Sequence, residues 1–571
     1  AKAIVEAFGD ETLEVLANAP ERLREIEGIG PKRAAIIAEN YAQQQETREV
    51  MLFLQKYQIP PSLCMRILKA YGGNAVTVLK ANPYQLIRDV PGVGFRTADR
   101  IALSMGVNPQ DSHRLRAGLI YVLRDAAGAS GHVFLPRDRL LDAAQGILQA
   151  PPEAVENELA ALVLSGEVRQ EEREDCTAVY HRSMLEAEKE VALQLLLLQC
   201  APQKKRVSAE DADLDAFERD QDIRFEAGQR AAIRMAAESP VVVITGGPGT
   251  GKTTVINCII RLMQGAGLTV SLAAPTGRAA KRMTEATGQE AKTIHRLLEY
   301  AAGEEDDAPL FGKTEEDPLK ADVVIVDEMS MVDLLLMRSL LKAVRPGTRL
   351  VLVGDADQLP SVGAGNVLRD ILDSGAIPSV RLTEIFRQAQ ESAIVMNAHL
   401  VNQGQVPDLL DNSRDFFCLR RYDSARAVDT VVELCKTRLP DNMHIPAEQI
   451  QVLTPTRKGP CGTINLNRLL QEALNPRTPG KREILWGERV FRVGDRIMQT
   501  RNDYDVVWQK DDGTVGTGMF NGDVGRIAEI DAGGEWLALD FDGRKAPYSV
   551  EMLSEIDLAY AQTVHKAQGS E

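Results

Sequence analysis

Short, mainly apolar runs recur through the second half of the chain, each ending in a polar or glycine-rich stretch. Val241–Ile244, Leu268–Leu272, Ala321–Val326 and Arg349–Val353 are of this kind. Runs this short and this apolar predict strands covered on both faces, as in a parallel sheet with helices on either side. A helical pattern starting near Val255 follows the first of them. The first third reads differently. Helical runs cover Glu14–Arg24, Pro83–Arg88, Arg114–Ala126, Arg137–Gln149 and Glu153–Leu164. Two strand-like runs, Glu167–Gln170 and Thr177–His181, flank the charged turn Glu171–Asp175. Leu195–Leu198 reads as helical core, and the polar, charge-rich stretch Pro202–Arg224 as a linker. From about 490 to 550, apolar and polar residues alternate between turn signals at Gly494-Asp495, Asn521-Gly522 and Gly543. That pattern predicts a small antiparallel barrel.

The most specific chemistry lies between the first apolar run and its helix. Gly246-Gly247-Pro248-Gly249-Thr250-Gly251-Lys252-Thr253-Thr254 has the spacing GxxxxGK[ST]. Glycines there let successive backbone N–H groups curl around phosphates, and the helix N-terminus adds its positive end. Lys252 reaches the β- and γ-phosphates, and the Thr253 hydroxyl serves Mg²⁺. The expected nucleotide contacts are Gly247, Gly249, Thr250, Gly251, Lys252, Thr253 and Thr254. Gln229, upstream, could read an adenine edge with one donor and one acceptor.

Bulk composition adds bounds. A length of 571 residues predicts about four domains. The net charge of −16 argues against a uniformly basic surface, while a local basic groove stays open to nucleic acid. Cysteines at 64, 176, 200, 258, 418, 435 and 461 form no CxxC pair, which fits a reducing, cytoplasmic setting. No apolar run approaches the ~18 residues a membrane helix needs. The chain starts at Ala1 without a Met.

Further candidates fall at the ends of the other strands, where an open α/β sheet gathers its ligands. Asp327, ending the run from Ala321, would hold Mg²⁺ together with Thr253, and Glu328 would polarise the attacking water. Gln358, in Gly354-Asp355-Ala356-Asp357-Gln358, is expected to sense the γ-phosphate. Thr276, Arg278 and Lys281, after the strand Leu268–Leu272, would lie where a phosphate backbone can run; His295 and Arg296 form a second such patch.

In the first third, Ile26-Glu27-Gly28-Ile29-Gly30 and Val90-Pro91-Gly92-Val93-Gly94 repeat a pattern, each between helical runs and followed by basic residues. Both resemble the helix-hairpin-helix motif, whose turn offers backbone N–H groups to one DNA phosphate without reading bases. Gly28, Gly30, Gly92 and Gly94 are the expected contacts. Pro60–Leu79, with Tyr71-Gly72-Gly73, reads as a degenerate copy. The helices and hairpin of about 110–185 suggest a winged-helix-like module, a spacer or a nucleic-acid binder.

The phosphate loop, Asp327-Glu328, GDADQLPSVG from Gly354, LTEIFRQ from Leu382, Leu453–Arg457 and VHKAQGSE from Val564 together resemble the superfamily 1 helicases. The RecD-like branch in its long form, with tandem helix-hairpin-helix turns ahead of the motor, is the nearest in pattern. The resemblance implies two RecA-like P-loop domains with ATP and Mg²⁺ in the cleft between them and single-stranded DNA across the top. It implies Arg387 as an arginine finger, ribose and phosphate contacts from Gly569 and Glu571, and DNA contacts from Thr456, Arg457, Thr563 and His565. It also implies a pin inserted at about 299–319 and an SH3-like insertion at about 490–550. The family's last motif would follow Glu571, so further sequence is expected there.

The expected fold class is therefore α/β: two RecA-like domains with a small SH3-like β-barrel insertion, behind an all-α helix-hairpin-helix region and a winged-helix-like module. The expected boundaries are 1–110, 111–200, a linker 201–224, 225–372 with the pin, and 373–571 with the barrel. The expected function is an ATP-driven bacterial DNA helicase, travelling 5′-to-3′ by resemblance, in recombination or repair. Its partners would be single-stranded DNA and junctions with duplex; it would act as a monomeric motor away from membranes, with protein partners unknown. An RNA helicase of the same superfamily and a DNA-binding ATPase clamp that does not unwind stay open. A relaxase–helicase would need clustered histidines, and those at 113, 132, 181, 295, 399, 444 and 565 form no cluster.

Overall fold

A computed structural model describes residues 2–26, 29–301, 310–385 and 390–568. Two compact units emerge, one built from 1–127 and 132–185, the other mainly from 186 onward.

The first unit opens on short helices leading into Pro31–Lys56, and a second helical pair ends in Phe95–Ser104. Among the described residues, the two expected hairpin turns share their caps and hydrogen bonds. Gly30 (φ −77, ψ 171) and Gly94 (φ −83, ψ 169) are both N-caps. Ile29 N donates to Ile26 O and Val93 N to Val90 O, then Ala34 N to Gly30 O and Ala98 N to Gly94 O. The Pro60–Leu79 copy does not follow this pattern. Its glycines form a 3₁₀ turn, Gly72–Asn74, with Gly72 at φ 55 and ψ −136, so no extended glycine caps the next helix.

Beyond Ser112–Ser130, strand β1 (Phe134–Pro136) precedes helices Arg137–Leu148 and Pro152–Ser165, and then β2 (Val168–Glu172) and β3 (Thr177–His181). The strands pair antiparallel in the order β1-β3-β2, a hairpin with a third short strand beside it. The three-residue β1 is too short for its periodicity to show. One continuous core, from Val50 to Val179, crosses the boundary expected at 110. The buried Arg114 guanidinium reinforces that crossing with a fork on Asp99 at 2.8 and 3.1 Å.

The stretch 201–224 is no free linker: Asp211–Gln221 is a helix with a capping box from Glu210. Its Leu214 and Phe217 are buried in the same core as Val242, Ile244 and Ile259. Its many charges occupy the outer face, so overall polarity hid an amphipathic helix. Leu195–Leu198 is also only half core: Leu195 and Leu198 are buried, whereas Leu196 and Leu197 face outward.

The motor sheet has six parallel strands. They are β4 (Val241–Gly246), β5 (Val270–Ala274), β6 (Ala291–Thr293), β9 (Val323–Val326), β10 (Arg349–Gly354) and β11 (Ser379–Leu382). Their order is β11-β4-β10-β9-β5-β6, and β4, β9 and β10 are buried throughout. Between β6 and β9 a hairpin pairs β7 (Tyr300–Ala301) with β8 (Leu310–Phe311).

Further on, helices Ala393–Asn402, Ser424–Glu433 and Thr463–Leu474 accompany a parallel pair, β12 (Val452–Thr454) and β22 (Ala561–Thr563). The hairpin of β13 (Glu483–Trp486) and β14 (Arg489–Arg492) leads into a seven-stranded antiparallel sheet. Its strands are β15 (Arg496–Gln499), β16 (Asp503–Gln509), β17 (Val515–Met519), β18 (Val524–Ile530), β19 (Trp536–Phe541), β20 (Arg544–Ser549) and β21 (Ile556–Leu558). Alternate residues such as Leu537, Leu539 and Phe541 fill its core.

Candidate nucleotide site and nucleic-acid interface

Five of the six strands deliver candidate chemistry from their carboxyl ends, because parallel strands with helical crossovers leave that edge free for loops. β4 gives the phosphate loop, β9 gives Asp327-Glu328 and β10 gives Asp355–Gln358. β5 leads to Thr276–Lys281 and β6 to His295 and Arg296.

The phosphate loop is shaped by its glycines. Gly249 (φ 74) and Gly251 (φ 79) are left-handed, and helix Lys252–Gly265 starts immediately after. A Cβ on Gly246 would lie 2.6 Å from Thr250 Oγ1 and 2.9 Å from the Leu382 Cβ, so β4 can approach β11 only without a side chain. The Lys252 ammonium donates to Gly246 O at 2.6 Å and Gly247 O at 3.1 Å. Thr250 is buried and its hydroxyl bonds Gly247 O at 2.9 Å. Gln229, also buried, donates to Thr250 O at 2.8 Å and accepts from Glu226 N at 3.0 Å. Its Nε2–H therefore braces the phosphate loop, while its Oε1 closes the capping box of helix Ala227–Glu238. Thr253 faces out beside Lys252. A glycine cradle, a lysine at its rim and a helix N-terminus fit a polyphosphate; the Thr253 hydroxyl and Asp327 carboxylate are hard oxygen donors that fit Mg²⁺.

Asp327 follows β9, and its N–H bonds Ala273 O on β5 at 2.9 Å. Burial raises its carboxyl pKa, opposed by the Glu328 N–H and by the charges of Lys252 and Arg282. Glu328 is left-handed, with φ 54, a rare conformation outside glycine. The Ser330 hydroxyl, two residues on, is buried without a hydrogen-bond partner. After β10, Asp355 is buried and accepts from Asp357 N at 3.0 Å, while Gln358 stands exposed at the turn. Gly363 lies against the N-cap of helix Leu334–Ala343: a Cβ there would sit 2.1 Å from Asp333 Oδ2.

The expected DNA residues divide into groups. Thr276 and Thr563 are N-caps, accepting from Ala279 and Lys566 N–H groups, and Thr293, ahead of His295, caps in the same way through Arg296 N–H. Arg278 is half-buried, its pKa lowered by burial and raised by Asp523 and Asp542 of the barrel. Lys281 pairs with Asp542 at 3.0 Å. His295 lies among aromatics, 5.8 Å from Tyr300 and 6.0 Å from Phe311 between ring centres, and burial lowers its pKa. It thus supports the base of the β7–β8 hairpin, while Arg296 is exposed. Arg457 and Thr563 share a cavity of about 120 Å³ with Lys566 and Arg489, and Thr456 and His565 are exposed nearby in sequence. Gly30, Gly92 and Gly94 are placed by the hairpin turns. Gly28, Arg387, Gly569, Glu571 and the pin segment 302–309 lie outside the described residues.

Two links were not legible in sequence. Gln568 Nε2 donates to Leu359 O at 2.7 Å, joining the stretch from Val564 to the turn after β10. The His399 ring, from helix Ala393–Asn402, lies 3.3 Å from Pro248 O in the phosphate loop. Each joins segments far apart in the chain, and no local pattern marks such a pair.

Comparison with known proteins agrees with this layout. A profile described as SAM-like helix-hairpin-helix tandem matches residues 1–39, and one for the ATP-dependent RecD2 DNA helicase HHH domain matches 43–134. An AAA domain profile matches 224–422, and one for the ATP-dependent RecD-like DNA helicase SH3 domain matches 466–541. The ATP-dependent RecD2 DNA helicase of Deinococcus radiodurans is 33% identical over 577 residues, covering 100% of this chain and 76% of that protein. The RecBCD enzyme subunit RecD of Mycolicibacterium smegmatis is 32% identical over 393 residues, 60% of this chain and 64% of that one. A crystal structure of Pif1 helicase from Candida albicans aligns at 19% identity and a TM-score of 0.34, over 61% of this chain and 87% of that one; a superposition so loose adds nothing to the sequence match. With near one-third identity along its whole length, and with helix-hairpin-helix, AAA and RecD-like SH3 profiles matching successive regions of it, the chain belongs to the RecD2 family of ATP-dependent, ATP-hydrolysing DNA helicases.

Proposed function

We propose that this helicase translocates 5′-to-3′ along single-stranded DNA and separates duplex at a junction, as a monomeric motor in bacterial recombination or repair. The observation that carries the reading is the shared carboxyl edge of one six-stranded sheet. Nucleotide candidates on β4, β9 and β10 lie on the same edge as the DNA candidates after β5 and β6. A change at one set can therefore shift the other through a few residues of rigid strand. The 5′-to-3′ sense follows the resemblance set out above. Seven unpaired cysteines accord with the reducing bacterial cytoplasm. Among the described residues no helix is long and apolar enough to cross a membrane.

In this reading Lys252 carries positive charge to the phosphates, and Thr253 with Asp327 holds Mg²⁺. The metal, when bound with ATP, neutralises charge on the β- and γ-phosphate oxygens. Glu328 orients the attacking water and takes its proton, and Gln358 relays phosphate occupancy through the turn that Gln568 grips. Arg387 completes the charge complement. The roles of Gly247, Gly249, Thr250, Gly251 and Thr254 are to line and support the loop.

The test of direction uses single strands biotinylated at either end and capped with streptavidin. A 5′-to-3′ motor clears streptavidin from the 3′ end only. Clearance from the 5′ end reverses the direction, and ATP hydrolysis without clearance from either end favours the clamp.

A further inference from the structure

We propose that His399 is a further nucleotide-binding residue, whose ring exchanges a phosphate-loop carbonyl for an oxygen of the terminal phosphate. The proposal rests on the nucleotide-site reading above.

The ring reaches the loop from far along the chain. Its Nε2 is 3.3 Å from Pro248 O, across 151 residues of sequence. A Cβ on Gly247 would stand 2.9 Å from His399 Cε1, 3.5 Å from Nε2 and 3.7 Å from Nδ1. The near edge of the imidazole thus occupies the space a side chain at 247 would need. Gly247 is not among the positive-φ glycines, so its lack of a side chain serves space rather than backbone freedom.

The helix carrying His399 is fixed independently of the loop. The Asp415 carboxylate accepts from Ala393 N at 2.6 Å, Ile394 N at 3.2 Å and Ser392 Oγ at 2.6 Å. Asn397, buried, brackets the Asp408 backbone, donating to its carbonyl at 3.2 Å and accepting from its N–H at 2.8 Å. His399 is therefore held out to the loop by a helix tied at both its first turn and its middle to the 408–415 segment.

The chemistry matches that of Lys252. Both side chains meet main-chain carbonyls of consecutive loop residues: Lys252 those of Gly246 and Gly247, His399 that of Pro248. A carbonyl is a weaker partner for a ring N–H than a phosphoryl oxygen, whose full charge roughly doubles the strength of the bond. A helix fixed beyond β11 would then bear on the loop through one imidazole, reporting whether the terminal phosphate is in place.

The experiment measures equilibrium binding of ADP and of a non-hydrolysable ATP analogue by calorimetry, with Tm recorded for every protein. Proteins compared are wild type, His399→Ala, His399→Gln, Gly247→Ala, the Gly247→Ala/His399→Ala double variant, and Lys252→Ala as the control for the nucleotide site itself. The expected result is a roughly tenfold loss of analogue affinity in His399→Ala, the scale of one charge-assisted hydrogen bond. ADP affinity and Tm should stay near wild type, and Gln, which keeps an N–H donor, should recover part of the loss. The penalty of Gly247→Ala should shrink in the double variant, since its cause is the ring. Wild-type analogue affinity in His399→Ala overturns the proposal, as does equal loss for both nucleotides with a lowered Tm, or strict additivity in the cycle. If Lys252→Ala retains full affinity for both nucleotides, the nucleotide-site reading fails instead.

Discussion

The Asp327 carboxylate accepts the backbone N–H of Glu328 at 2.8 Å, and Glu328 is left-handed at φ 54. The bond ties the Asp327 carboxylate to the backbone of the second candidate acid, at the residue whose backbone is strained. A left-handed residue with a Cβ costs roughly 1–2 kcal/mol, so the strain at this position is expected to serve chemistry. Glu328→Gln should abolish ATP hydrolysis and preserve nucleotide binding. Glu328→Gly should abolish it too, yet be no less stable than wild type in a thermal melt. Destabilisation by glycine would mean that the side chain, not the strained backbone, was needed for the fold.

Asp327 carries a pH signature. Burial raises its folded-state pKa above the unfolded value of about 3.9. Between the two values the native state binds more protons than the unfolded state. Its contribution is therefore fully favourable below about pH 3.9 and is lost as pH rises through the folded pKa. Asp327→Asn should raise Tm relative to wild type at pH 8, and that difference should narrow toward pH 4. A constant difference across the range would assign the effect to packing.

The helix Asp211–Gln221 gives a prediction on stability. Phe217 is buried and stacks on Phe225 with ring centres 5.7 Å apart. Phe217→Ala should cost about 3–5 kcal/mol, the scale of a large-to-small core change, and lower the Tm of the motor. Had 201–224 been a free linker, the same substitution would stay within about 0.5 kcal/mol.

How much of this was legible follows from where each signal lies. The phosphate loop, β9 with its acids and the turn after β10 each carry chemistry in consecutive residues, so sequence marks them. The alternation of the barrel marks β19, where Leu537, Leu539 and Phe541 point inward. The helix at 211–221 was hidden because nine of its eleven residues are not leucine or phenylalanine, and two buried side chains scarcely move its average polarity. The barrel acids facing Arg278 and Lys281, and His399 over Gly247, are pairings across long sequence separations. Nothing in either local segment records them.

Lys281 and Asp542 concern DNA grip. Their exposed pair sets a barrel carboxylate against a lysine on the expected DNA path. Asp542→Asn should leave Lys281 freer for phosphate and tighten single-strand binding at low salt. Lys281→Ala should weaken binding and reduce the log–log salt slope by about 0.7, one phosphate on single-stranded DNA. Salt slopes equal to wild type in both variants would place the strand elsewhere.

The hairpin turns separate two kinds of glycine. An added Cβ at Gly30 or Gly94 meets nothing within 4 Å, so that side of the turn is open to a phosphate. Gly92 differs: its φ is 73 and a Cβ would lie 2.6 Å from Arg66 Nη1. The Gly30→Val/Gly94→Val variant should fold and lose duplex affinity while keeping basal ATPase, whereas Gly92→Val should lower Tm. Unchanged duplex affinity in the double variant would make both turns purely structural.

The central claim is that ATP turnover at the β4–β9 edge drives strand separation in one direction. Strand displacement tests it, on duplexes bearing a 5′ tail, a 3′ tail or blunt ends, with wild type beside Glu328→Gln. The account predicts that wild type with ATP displaces the strand only from the 5′-tailed duplex, and that Glu328→Gln displaces none. Displacement by Glu328→Gln at the wild-type rate, or wild-type ATPase activity with no displacement from any substrate, would contradict it.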